Sequence, residues 1–182
     1  MKRIVVIVAL FAVILATVFA LLHSEEKLEN TLDDYQEVME EGIPDDLKLT
    51  IYYADPQMNT WMPIRTVEEL ASFSSVIEVG AEKLAAHREL FASLNAAHLK
   101  PVDEDSNNDS QIIGFLRLVY ILERGNSEVL LEVMTADLLY DESILVNGFE
   151  VENNSIFYEL IDPFLTEEDR NILRWRDAAF LP

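Results

Sequence analysis

The sequence predicts an α+β fold: an N-terminal transmembrane helix, then one domain with a mainly antiparallel, twisted sheet of hairpins and helices packed on one face. Three observations lead there. Residues 4–22 are apolar but for Thr17. Beyond them, short alternating segments bounded by turn residues read as strands. Between these lie stretches of helical spacing with capping residues, without the regular strand–helix alternation of a parallel sheet.

The apolar run comes first. At about 1.5 Å per residue its 19 residues reach about 28 Å, close to the hydrocarbon thickness of a bilayer. Lys2 and Arg3 precede it, and Glu25 and Glu26 follow it. The basic flank stays in the cytoplasm, so the C-terminal part is expected outside it. A cleaved secretory signal has a shorter apolar region with a small-x-small site behind it. Here Val18-Phe19-Ala20 sits inside the run, and residues 1–23 read as an uncleaved anchor.

The run also resolves a conflict in composition. Net charge is -21, yet mean hydropathy is +0.10. The first 22 residues hold two bases and no acid, so all 34 acids face 11 bases in the remainder. So acidic a domain excludes nucleic-acid binding, which needs clustered Lys and Arg on phosphates. Zero cysteines exclude disulfides, thiolate zinc sites and thiol nucleophiles.

Residues 24–46 read as an acidic juxtamembrane stalk. Leu28, Leu32, Tyr35 and Met39 form a helical stripe, and Gly42 and Pro44 end it. The stripe fits a homodimeric coiled coil or a helix packed on its own domain. Two heptads are too few to hold a coiled coil alone.

The extracytoplasmic domain is expected over 47–182. Leu47–Tyr53 alternates as a strand, and 60–65 reads as an edge strand because Pro63 cannot donate to a central ladder. Thr66-Val67-Glu68-Glu69 has the capping-box pattern and opens a short helix ending near Ser74. A short strand over 76–79 leads through Gly80 into one long helix, 81–97, with Leu84, His87, Phe91 and Leu94 on one face. Residues 103–110 contain no apolar side chain and read as a loop. Strands over 112–123 and 128–135 form a hairpin about Gly125-Asn126. A second hairpin pairs 144–146 with 149–151 through Asn147-Gly148, the strongest short turn signal in the chain. Asn154-Ser155 caps a helix stopped at Pro163. Thr166 caps the last helix, whose first turn carries Glu167, Glu168 and Asp169. The bulk of the core is expected from Tyr52, Trp61, Phe73, Phe91, Tyr120, Phe149, Phe157, Tyr158 and Phe164.

Chemistry-bearing patterns are few. Asp103, Asp105, Asn107 and Asp109 alternate like the opening of a calcium loop, because calcium takes six to eight oxygens from one turn of chain. The pattern breaks where it is specific: position six is Asn108 and position twelve is Gly114. His87 and His98 would be about 16 Å apart on a continuous helix, too far to share an ion. No nucleophile elbow and no Gly-rich phosphate loop occur. Arg170, Arg174, Trp175 and Arg176 hold three of the eleven bases beyond residue 22 within seven residues, a candidate docking patch since Trp and Arg dominate interface hot spots. The alternative is a set of salt bridges and helix-dipole contacts within the fold.

The segments Leu130-Leu131-Glu132-Val133, Val146-Asn147-Gly148-Phe149-Glu150-Val151 and Ile156-Phe157-Tyr158-Glu159-Leu160-Ile161-Asp162-Pro163-Phe164-Leu165, with Ile51-Tyr52-Tyr53, resemble small membrane-anchored hypothetical proteins of bacteria. The resemblance implies an extracytoplasmic domain and carries over no active residues. The expected function is a non-enzymatic binding or regulatory module without cofactor, meeting a protein or cell-envelope partner. The alternatives are an exported cell-envelope hydrolase using paired carboxylates and a weakly calcium-responsive surface domain.

Overall fold

The computed structural model describes residues 26–55, 64–102, 116–125, 127–136 and 143–173. Residues 26–41 form helix α1. There follow β1 (Leu47–Tyr53), α2 (Val67–Ala71), β2 (Ser75–Gly80), α3 (Ala81–Ala85), α4 (Arg88–Ser93) and a 3-10 turn (Leu94–Ala96). Strands β3 (Leu118–Arg124), β4 (Glu128–Thr135), β5 (Ser143–Val146) and β6 (Phe149–Glu152) come next. Helix α5 (Ile156–Glu159), a 3-10 turn (Asp162–Phe164) and α6 (Glu167–Leu173) close the described chain.

The fold is α+β, with a six-stranded sheet in the order β2-β1-β3-β4-β5-β6. Every neighbouring pair is antiparallel. Alternation sorts the side chains between two faces. Leu49, Ile51, Leu122, Leu131, Val133, Ile144, Val146 and Val151 enter the main core, which also takes Phe91, Phe157, Leu160 and Ile161 from the helices. Val119 belongs to a second cluster on the opposite face, with Ala54, Ile64, Leu70 and Leu116.

The Asn147-Gly148 turn behaves as expected, while Asn126 of the other expected hairpin turn lies outside the described residues. Asn147 and Gly148 both take positive φ, 47° and 81°, the geometry that matches the twist of a tight hairpin. Between β3 and β4 the register shifts at Leu122/Glu123, where Leu122 faces Leu131 and Glu123 faces Val129, leaving Leu130 of β4 as the extra residue. The extra residue lets adjacent Leu130 and Leu131 both enter the core, at 1% and 0% exposure.

Four expectations are corrected. The helix expected as a stalk belongs to the domain: Leu28, Leu32, Tyr35, Val38 and Met39 are buried in the main core. The folded unit therefore starts ahead of Leu47, because the stripe finds its apolar partner within the same chain. The expected long helix over 81–97 is three pieces. Ala86-His87 breaks it, with His87 at φ -118° and ψ 19°, and no Gly or Pro marks the place. The cause is tertiary: Leu84 and Phe91 are both buried, His87 meets Phe164 edge-on at 5.3 Å, and Arg88 reaches back to α1. Helices do not all share one face, since α2 places Leu70 in the second cluster. Finally, Phe73 is exposed (56%), and Tyr35 and Tyr53 supply buried aromatic bulk in its place. The expected edge strand over 60–65 lies mostly outside the described residues, as does Trp61.

Among the described residues, no helix is long and apolar enough to cross a membrane. The apolar run over 4–22 lies outside them.

Candidate functional site

Helix α1 is fastened to the domain along its length. The Tyr35 hydroxyl donates to the Phe91 carbonyl at 2.7 Å. The Arg88 guanidinium donates to the Met39 carbonyl at 3.0 and 2.9 Å and to the Glu40 carbonyl at 2.7 Å, satisfying carbonyls that the last helical turn leaves open. Nearer the N-terminus the Asn147 amide donates to the Thr31 carbonyl at 2.9 Å.

Between the N-terminal half of α1 and the segment after α4 lies a groove of about 580 Å³, within the size range of small-molecule sites. Leu28, Leu32 and Leu94 form its floor, nearly closed to solvent at 2%, 7% and 3%. Glu29, Asp33 and Gln36 rise along the α1 wall. Asn95, His98, Leu99 and Lys100 make the other wall.

That second wall depends on an unusual backbone. His98 adopts φ 43°, a left-handed conformation that costs a non-glycine residue about 1 kcal/mol. It turns the chain out of the 3-10 turn and onto the edge of β6. There the Glu152 N–H donates to the Lys100 carbonyl at 2.8 Å and the Val102 N–H to the Glu150 carbonyl at 3.0 Å. The left-handed turn thus presents His98 at the groove while the following residues cover a sheet edge.

The groove's polar groups are uncommitted. Among the described residues, no side-chain hydrogen bond or ion pair holds Glu29, Asp33, Gln36, Asn95 or His98. Glu29 and Asp33 are like charges one helical turn apart, an arrangement mildly unfavourable to the helix itself. Lys100 meets Glu152 at 3.6 Å, with both side chains mostly exposed, an ion pair that contributes little and exchanges readily. Thr166 and Asp169 cap α6 reciprocally, and the Tyr53 hydroxyl donates to Asp169 from the sheet. Burial drives the Asp169 carboxyl upward, but the hydrogen bonds from Tyr53 and Thr166 outweigh it and hold the group below the usual carboxylate range. Burial and the same bond push Tyr53 up to about 12.

Of the docking patch expected from the sequence, Arg170 is already spent: it donates to the Asp162 carboxylate and to the Asp162 carbonyl, each at 2.8 Å. Arg174, Trp175 and Arg176 lie outside the described residues, as do Asp103, Asp105, Asn107 and Asp109. Among the described residues, no group of three or more His, Asp or Glu is placed to hold a metal ion. The sequence carries no local signature of the groove, because its walls come from segments far apart in the chain that share no motif. The one available signal was the pair Glu29 and Asp33 beside the apolar stripe.

No protein-family model matches the chain, and neither a curated protein nor a solved structure matches it.

Proposed function

We propose that this chain is a single-pass membrane protein whose α+β domain, held outside the cytoplasm by residues 4–22, works as a non-enzymatic binding module. The apolar run, the Lys2-Arg3 flank and the acidic remainder support the placement. His23, Ser24 and Glu25 are all that separate the run from the described start of α1, so the domain would stand close to the bilayer. One observation carries the binding role: the groove between α1 and the segment after α4, with a leucine floor and five polar side chains that the fold does not use.

The placement is tested with a C-terminally tagged full chain in bacterial cells. The chain should sediment with membranes, and its tag should be lost when protease is added to spheroplasts. A tag found in the soluble fraction or protected in intact spheroplasts refutes it. The binding role is tested by ligand-observed NMR against a fragment library. Hits lost in Asp33→Asn and in His98→Ala support the groove, and hits indifferent to both refute it.

A hydrolase using paired carboxylates draws on a different place. Glu132 is half-buried on the sheet face beneath α2, where burial and then the Glu68 carboxylate raise its pKa. Hydrogen bonds from its own backbone and from Thr66 lower Glu68. Such opposed pairs occur where one carboxyl gives a proton and another stays ionised. Hydrolysis of cell-envelope material that survives Glu132→Gln removes this reading.

A further inference from the structure

We propose that the groove between α1 and the segment after α4 takes a small zwitterion with an apolar body, a short peptide with free amino and carboxyl ends. The assignment rests on the binding role above and adds the class of ligand. The two walls differ in charge. Along α1 stand Glu29 and Asp33, whose carboxylates are unpaired among the described residues. The other wall is lined by Lys100, His98 and Asn95, and the Lys100 ammonium is held only by its exposed pairing with Glu152.

An ammonium laid against α1 gains charge-assisted hydrogen bonds and relieves the repulsion between Glu29 and Asp33. A carboxylate at the other wall takes the Lys100 ammonium from its loose pairing with Glu152 and accepts an imidazole N–H. An apolar side chain between the two ends lies on Leu99 and the leucine floor. A ligand bearing one charge satisfies one wall and leaves the other bare, and an anion meets repulsion from an acidic protein. The groove's volume suits a molecule of this size.

The test uses the full chain in mild detergent, with the tripeptide Ala-Leu-Ala, its N-acetyl form and its C-terminal amide as probes, read by calorimetry and by shifts of the His98 and Leu99 amide resonances. The free tripeptide should bind, and each blocked form should bind about tenfold more weakly, the loss of one charge-assisted contact. The double variant Glu29→Gln, Asp33→Asn should erase the preference for the free amine alone. Lys100→Gln should erase the preference for the free carboxylate alone. These side chains are exposed, so an unchanged circular dichroism spectrum shows that the variants fold. Equal binding of free and blocked tripeptides overturns the assignment, as does absence of binding at millimolar peptide. If uncharged fragments shift His98 and Leu99 while the tripeptide does not, the ligand class falls and the groove's binding role stands. If nothing shifts them, both fall.

Discussion

Asn147 is the residue at which the sheet, its bulge and the first helix meet, and replacing it has a calculable cost. Its side-chain oxygen accepts from the Glu132 N–H at 2.7 Å. Its amide nitrogen donates to the Thr31 carbonyl at 2.9 Å and to the Leu130 carbonyl at 3.2 Å. Asn147→Ala removes all three. At about 1 kcal/mol each, the loss is about 3 kcal/mol, reduced where water reaches the half-buried site. Alanine at φ 47° adds about 1 kcal/mol of backbone strain. Asn147→Gly loses the same bonds without that strain. The expected order is therefore wild type, then Gly, then Ala, with the Ala variant about 3 kcal/mol below wild type. That is a large share of the 5–15 kcal/mol typical of a domain. Urea unfolding followed by far-ultraviolet circular dichroism measures it. An Ala variant within about 1 kcal/mol of wild type would show that the side chain does not join these elements, and a Gly variant equal to Ala would refute the backbone strain.

Leu32→Ala should cost about 2–4 kcal/mol in the same assay, because Leu32 is 7% exposed in the main core; a free stalk would lose almost nothing. The Asp169 carboxyl is held below its ordinary value, so the stability it contributes is present above about pH 4 and lost as the pH falls further. Asp169→Asn should therefore lower Tm at pH 7, and the gap to wild type should close in acid; a gap constant from pH 7 to pH 3 contradicts the assignment. Glu132 has the opposite sign. Its raised pKa makes the ionised form unfavourable in the folded state, so Glu132→Gln should raise Tm at pH 7 by ~2 °C, and an unchanged or lower Tm would sink that account.

The site was less legible than the fold. Thr66 accepts from the Glu69 N–H at 3.2 Å, half of the exchange that the capping-box pattern predicts, while the Glu69 carboxylate accepts from the Arg65 N–H at 2.8 Å, one residue ahead of the cap. Asn147-Gly148 and Thr166 were equally readable, since turns and caps are settled by residues a few positions apart. Asn154 bonds the Ile156 N–H at 3.1 Å, though Ser155 makes no capping bond and Pro163 enters a 3-10 turn instead of simply ending the helix. The groove has no such local signature. Glu29 and Asp33 looked like two more solvated acids in an acidic chain, and His98 like a residue at the end of a helix.

The sequence by itself determined the apolar run, the excess of acid beyond it, five of the six strands to within a residue or two, and the short turns that join hairpins. All of these follow from composition and from period-two or nearest-neighbour patterns. Only the tertiary structure decided that α1 belongs to the core, that 81–97 breaks at Ala86-His87, and that α2 crosses to the other face. An apolar stripe states that it must be buried but not against what, and the partners here are tens of residues away. The same holds for the groove: it exists because Tyr35, Arg88 and Asn147 fix α1 against elements that the chain reaches only later.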